Sequence, residues 1–463
     1  MPSRKNLLFL MTDHQRADSI GMVQCGREVT PNLNRLAKES AHFTRAYTTC
    51  PLCVPARTAL ATGLYPTASG MVWNDFKWTS VTPHATLHSN LRDAGYTVGH
   101  VGVNHIRVLP PLREEGFSCF YEEKDYSALL REYGITFPHA PGSSSMIPEL
   151  LDGKAVETSY SNTQTGVWAY DPALFKDRVF ASKGEEFLAS VGESSPFALF
   201  VCLWAPHPPL TVPAEFAGMY DPSLIDLPAN VGQPAKGEPP FRRKSVPAQL
   251  AEGVRMAEWR KVWAAHLALT SYADGLFGGL LEKLKSLGVY DDTVIVFTSD
   301  HGESLGQHSM YQKMEMYEQC VNIPLLIKAA ALPTGNMAML PVAKRTEVVS
   351  HLDVLPTLCD LLSLPKPAGA DGHSLLQTAE GRTVFSQYTR CIGPGSRRRA
   401  AVNGRWKYVI DEDGEEELYD LQFDPLEMNN LAGSPAYAVI LSELAGQCRS
   451  YHQQHGDVFF IVD

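Results

Sequence analysis

Five short, nearly unbroken apolar runs recur along the chain, at residues 6–11, 97–103, 197–204, 293–298 and 323–328. Runs of this kind suit strands covered by helices on both faces of a sheet, not strands with one face in water. Between them lie stretches with helical spacing, at 31–40, 85–94, 172–191, 252–287 and 351–362. Thr30-Pro31 opens the first with a cap residue and a proline suited to a first turn. The alternation predicts an α/β fold, a large, mixed, mostly parallel sheet sandwiched by helices. After about residue 376 the pattern changes. Short strand candidates at 383–388, 400–403, 406–410 and 417–421 are separated by turns such as Asp411-Glu412-Asp413-Gly414, and 436–452 reads as a closing helix. The chain thus divides into a large α/β domain over 1–376, which carries the chemistry, and a small C-terminal domain over 377–463, an antiparallel sheet plus helix. Segments 137–166 and 227–244 read as long surface excursions.

The polar residues that follow the apolar runs sharpen the picture. The first run leads into Asp13-His14, the second into Asn104-His105, the third into Pro206-His207 and the fourth into Asp300-His301. Four strands therefore deliver titratable groups at their carboxyl ends, the edge where open α/β sheets build sites. One carboxylate there reads as a helix cap; four such positions together with a cysteine point to metal-assisted hydrolysis. Hard divalent cations want carboxylate oxygens and a histidine admits manganese or a similar metal, so Asp13, Asp300 and His301 are the metal-ligand candidates. The cysteine is Cys53, in TTCPLCVPARTALATGLYP at residues 48–66. Pro55 and Gly63 mark the start and stop of a short helix. Cys53 then sits at a helix N-terminus, where free N–H groups favour an anion and lower a thiol pKa, with Arg57 one turn along and able to fold back toward it.

Composition adds limits. With 463 residues, 44% apolar and 20% charged, the chain is an ordinary globular one. A net charge of −11 argues against nucleic acid or an anionic membrane as partner, and obliges any anion site to gather local positive charge. No apolar run reaches membrane-spanning length, and the run at 7–11 is too short for a signal segment. Nine irregularly spaced cysteines predict a reducing, cytoplasmic setting without a disulfide framework. Cys50 and Cys53 form a C-x-x-C, so a redox or metal pair is a rival reading. Pro51 and Pro55 fit it poorly, and no second C-x-x-C completes a zinc site.

Cys53-Val54-Pro55-Ala56-Arg57, with Thr62-Gly63-Leu64-Tyr65-Pro66 after it, resembles the signature of the type I sulfatases. These belong to the alkaline phosphatase superfamily, with the phosphonate monoester and phosphate diester hydrolases. TSDHGESLGQHSMYQK at 298–313 resembles the second sulfatase signature, Pro206-His207-Pro208-Pro209 the Pro-His-x-Pro element, and His105 the histidine of a Gly-Lys-x-His element. Thr30-Pro31-Asn32-Leu33, residues 351–357 and Leu418-Tyr419-Asp420-Leu421 extend the likeness nearly end to end. The resemblance implies that a maturation enzyme oxidises Cys53 to formylglycine, whose hydrated aldehyde is the nucleophile. It implies one divalent ion, calcium first and manganese or magnesium as alternatives, on Asp13, Asp300, His301 and the Cys53-derived group. Arg57 and Lys313 would neutralise charge, with Lys313 on the sulfate. His207 would reach the ester oxygen or sulfate, and His105 would serve as base or hydrogen-bond donor. His308 matches a position near the site without an assigned role. The implied substrate is the sulfate ester of a small molecule or a saccharide; a homo-oligomer stays open.

Three positions depart from the sulfatase pattern. Val103 stands where most sulfatases carry a lysine that binds the sulfate, a loss of charge stabilisation for which Arg107 is the nearest cation in sequence. His14 stands where many carry a second aspartate, so it either ligates the metal or packs nearby. Ala56 replaces the commoner serine, as in the phosphonate monoester hydrolases, which also lack the lysine. A phosphonate monoester or phosphate diester hydrolase using the same groups is therefore the alternative. A non-catalytic binding protein is the third reading, encouraged by Val103 alone. Specificity loops at 71–78, 106–115 and 137–166 carry no readable pattern for the alcohol half of the substrate.

Overall fold

Eight strands line up side by side, the central ones as apolar runs covered on both faces and the two edge strands more exposed. They are β1 (Asn6–Thr12), β2 (Ala41–Tyr47), β3 (Thr97–Gly102), β4 (Cys119–Glu122), β5 (Phe197–Cys202), β6 (Thr293–Ser299), β7 (Asn322–Lys328) and β8 (Ala343–Arg345). The structure is a computed structural model that describes residues 5–74, 84–136, 139, 141–151, 154–192, 195–330, 340–377, 381–389 and 397–460. The strand order is β8-β2-β7-β6-β1-β5-β3-β4, with Val349–Ser350 also pairing β2. β7 runs antiparallel to both neighbours and the other pairs are parallel, the mixed, mostly parallel sheet expected.

Alternate residues face opposite layers, as strand geometry requires. Leu199 and Val201 pack toward Gly184 of helix Lys176–Ser190, which lies against the long helix Met256–Ser286. Phe9, Met11, Phe200 and Cys202 turn the other way, onto Arg57 and Leu60 of helix Cys53–Thr62. All ten residues of that helix are buried, and it stops at Gly63 with φ 72°, as its sequence predicts.

The four strands that deliver polar residues are adjacent: β6, β1, β5 and β3. Their register is level. Thr12 pairs Ser299, Met11 pairs Cys202, and Cys202 pairs Gly102. The next residue on each strand therefore emerges at the same edge, with Asp13 beside Asp300. Gly102 is at φ 108°, and a Cβ there would sit 1.9 Å from the Cys202 carbonyl oxygen, so only glycine ends β3 this way.

Several expectations need correction. Thr30 does not cap the first helix with its side chain; its hydroxyl donates to the Ser19 carbonyl at 2.9 Å, and Asp274 accepts from Asn32 N and Leu33 N instead. The stretch 137–166 is not a plain excursion. Ser144–Leu151 and Lys154–Ser161 form an antiparallel hairpin, and Thr165–Val167 pairs Leu210–Val212. The dipeptide Asp152-Gly153 is the hairpin signal there, masked by the surrounding proline, glycine and serine.

The C-terminal sheet runs Val384–Tyr388, Arg398–Val402, Trp406–Asp411 and Glu416–Asp420 in antiparallel sequence, with helix Ala438–Gln454 packed on it through Leu444 and Cys448. Gln387 N bonds the Thr49 carbonyl at 2.8 Å, so this sheet grips the segment leading into Cys53. Among the described residues no helix is long and apolar enough to cross a membrane.

Candidate active site

Cys53 is the first residue of its helix, and its buried Sγ lies 3.2 Å from His301 Nε2, 3.2 Å from Lys313 Nζ and 3.6 Å from Asp13 Oδ1. Ligand atoms of Asp13, Cys53, Asp300 and His301 all fall within 4.8 Å of one another. Arg57 braces this group. Its Nε donates to Asp300 Oδ2 and its Nη2 to Asp13 Oδ2, each at 2.8 Å, and Nη1 donates to the Val103 carbonyl at 3.1 Å. The guanidinium has thus turned to the two carboxylates and not folded back to Cys53, because a buried anion without a partner costs several kcal/mol.

Burial and the neighbouring Asp300 push Asp13 up to about 7, while Arg57 holds Asp300 below the ordinary carboxylate range despite burial. One guanidinium shared between two carboxylates leaves room for further positive charge. His301 is pulled down to about 3 by burial and is a neutral imidazole. Its Nδ1 faces the Gly302 carbonyl at 3.0 Å, which directs the Nε2 lone pair at the cluster. Two carboxylates and a neutral imidazole are a donor set that fits a divalent cation. Burial, with Asp13 and Asp300 added, pushes the Cys53 thiol up, against the expectation from its helix start. Unmodified Cys53 is therefore a thiol and a weak nucleophile.

Lys313 donates to Cys53 Sγ, to His207 Nε2 at 3.2 Å and to His14 Nε2. His14 Nδ1 meets Glu303 Oε2 at 2.5 Å. Lys313 can only donate, so a neutral His14 ring that accepts at Nε2 carries its proton on Nδ1, toward Glu303. His14, in left-handed backbone at φ 66°, belongs to a second group with Asp13, Cys53 and His207. Burial pushes the Glu303 carboxyl up to about 7. Glu303 was not among the residues singled out from the sequence; its only signal is a place two residues beyond His301. His207 is half-buried while Asp13, His14, Cys53, Asp300, His301 and Lys313 are buried, so it forms the rim of the site.

His105 stands beside this network. Its Nε2 is 3.3 Å from Glu123 Oε2, a partner that sequence reasoning missed. Glu123 is held down to about 2, against its burial, by that contact and by Lys176 and Arg57. Burial lowers His105. Arg107 donates to the Asn104 and Ile106 carbonyls. His308 lies elsewhere, stacked on Tyr317 at 3.7 Å with its Nε2 3.3 Å from Asn230 Nδ2.

This constellation has relatives. A sequence model described as Sulfatase matches residues 5–364. The chain belongs to the sulfatase family. A second model, N-sulphoglucosamine sulphohydrolase, C-terminal, matches residues 306–454. The chain is 26% identical to an uncharacterised sulfatase of Escherichia coli (strain K12), over 98% of this chain and 88% of that one. It is 29% identical to a multifunctional alkaline phosphatase superfamily protein of Trinickia caryophylli, over 98% and 96%. Its fold is similar to that of the phosphonate monoester hydrolase of Agrobacterium radiobacter, with a TM-score of 0.75 at 24% identity over 99% and 97% of the two chains. By family the protein is a sulfuric ester hydrolase.

In this sulfatase the lysine that touches Cys53 rides on an unusual loop. Gln312 and Met314 flank Lys313 at φ 69° and 81°, conformations that cost about 1–3 kcal/mol each for residues other than glycine. The C-terminal sheet holds the loop in place. Lys407 Nζ donates to the Met316 carbonyl at 2.9 Å, and Arg398 to Glu315 Oε1 at 3.2 Å. Arg242 donates to Glu315 Oε2 at 2.8 Å. Glu315 is the buried anion between two buried arginines, so Glu315→Ala is expected to lower unfolding stability by about 3–5 kcal/mol, read from urea unfolding. The same variant should release Lys313 and cut turnover even where the protein stays folded.

Proposed function

We propose that this sulfatase cleaves a sulfate ester with Cys53, matured to formylglycine, as the nucleophilic residue, beside one divalent cation on Asp13, Asp300 and His301. The observation that carries this reading is the position of Cys53 Sγ within 3.2 Å of both His301 Nε2 and Lys313 Nζ, in surroundings whose burial and carboxylates disfavour a thiolate nucleophile. Formylglycine supplies an attacking hydroxyl when hydrated, and the ion, calcium first and manganese or magnesium as alternatives, offsets carboxylate charge beside it.

The chain's own groups do the rest. Arg57 holds Asp13 and Asp300 side by side. Lys313 Nζ, poised between Cys53, His14 and His207, meets the sulfate oxygens. Lys313 Nζ donates to His207 Nε2, so the proton needed by the departing alcohol oxygen comes from the Lys313 ammonium and is passed on by His207 Nε2. His105, oriented by Glu123, is the base that assists sulfate release. The alcohol half is a small molecule or a saccharide; the match of residues 306–454 to the C-terminal part of N-sulphoglucosamine sulphohydrolases supports the saccharide. A cytoplasmic setting, supported by eight unpaired cysteines among the described residues, and a separate maturation enzyme, which the formylglycine reading requires, complete the proposal.

A phosphonate monoester or phosphate diester is the second reading. Val103, buried at 1% exposure where most sulfatases carry lysine, favours it. The mass of the Cys53 peptide from the native host tests the first proposal, which requires an aldehyde in place of the thiol. A panel of aryl sulfates, phosphonate monoesters and phosphate diesters then ranks the two substrate classes. Metal removal gives a second check. After chelation, calcium at about a hundred times its dissociation constant should add about 2.7 kcal/mol of stability in thermal unfolding, an increment absent in Asp300→Ala.

A further inference from the structure

A cavity of about 30 Å³ opens beside the rim residue His207, walled by Tyr126, Trp168, Phe175 and Trp204. Lys176 enters it. Its Nζ lies 4.0 Å from the Trp204 ring centroid and 5.7 Å from that of Tyr126. The ammonium has no hydrogen bond or ion pair among the described residues; its contacts there are aromatic faces, and the carboxylates that act on it, Glu123 and Asp177 foremost, do so without direct contact. The other polar groups of the wall do not compete for a ligand's charge. The Asp177 carboxylate is turned onto the Trp204 and Ala205 amides. Burial and Lys176 bring His139 down to about 4, and burial keeps His207 neutral. An aromatic cage of this kind would ordinarily draw a quaternary ammonium. Here the protein's own lysine occupies the cage, which reverses the preference.

We propose that this cavity is the subsite for the alcohol half of the substrate and takes a compact anionic substituent, a carboxylate, as the partner of Lys176. The inference rests on the sulfatase reading, which puts the ester on Lys313 and His207 with its alcohol leaving past the rim. His207 joins the two places, since it lines the cavity and lies 3.2 Å from Lys313. The volume matches the occupant. One water needs roughly 10–15 Å³ on this measure, so the space holds two or three non-hydrogen atoms, the size of a carboxylate. Lys176 also supplies, from the alcohol side, positive charge that Val103 does not provide. Sulfate esters of carboxylate-bearing alcohols are thereby favoured and those of cationic alcohols rejected.

Calorimetric binding of three products, phenol, 3-hydroxybenzoate and 3-(trimethylammonio)phenol, tests this without depending on turnover. Wild type is expected to bind 3-hydroxybenzoate about ten- to a hundredfold tighter than phenol, and the ammonium compound more weakly than either. Lys176→Met should erase the preference, and Lys176→Glu should reverse it. Equal affinities in wild type, or a carboxylate preference that survives Lys176→Met, would overturn the proposal. Hydrolysis of phenyl sulfate and 3-carboxyphenyl sulfate separates the two readings. Discrimination in binding with no sulfate released sinks the sulfatase reading and upholds the subsite. Release at one rate from both esters, with Lys176→Met slowing them equally, places the lysine on the sulfate and sinks the subsite.

Discussion

Cys53→Ala is expected to lower sulfate ester hydrolysis by about 10⁴- to 10⁶-fold, the range seen when a covalent nucleophile is removed. The fold should survive. The lost atom is one sulfur at a helix start, and Lys313 keeps His14 and His207 as partners. Circular dichroism and urea unfolding should place the variant within about 1 kcal/mol of wild type, at the low end for a small buried truncation. Cys53→Ser is the sharper control, because it restores a hydroxyl that maturation from cysteine cannot use. Full activity in either variant, with folding intact, would exclude Cys53 as the nucleophilic residue and with it the proposed chemistry.

Arg57→Leu should have the largest effect on stability. It leaves Asp13 and Asp300 buried side by side without their shared guanidinium, a loss of about 3–5 kcal/mol. The pH dependence has a definite sign. Without Arg57, the folded-state pKa of both carboxyls rises above the unfolded value near 4, so the folded chain binds more protons than the unfolded one. Stability then increases as pH falls through that window and is lost as pH rises. Asp13 already behaves this way in wild type, at about 7, so the deficit of the variant should shrink between pH 8 and pH 5. Calcium should restore part of it at pH 8 by standing in for the missing cation. A deficit that is constant with pH would mean that the arginine acts through packing alone.

The positions of the reactive groups could be read from the chain because each follows an apolar run. Asp13, His105, His207 and Asp300-His301 stand at the ends of β1, β3, β5 and β6, and those strands are neighbours. Glu303, Glu123 and Lys176 carry no such mark. They lie on a loop and at two helix starts, where acidic and basic residues are ordinary. Their importance comes from what they meet across 289 positions in the case of His14 and Glu303. The thiol of Cys53 shows the limit of local reasoning. A helix start favours its anion, but two carboxylates and full burial act in the opposite direction and win.

The sequence by itself determined the α/β class, the helix that carries Cys53, the motif residues and the substitution of Val103 and His14. Those are properties of local periodicity, capping and residue type, which the chain displays without folding. Tertiary structure alone decided the strand order that puts Asp13 next to Asp300, the turning of Arg57 to both, and the partners of His14 and His105. It also decided that Lys176 enters the aromatic cavity beside His207. These depend on pairing and desolvation between distant segments, which arise only when the chain closes on itself and removes water from between them.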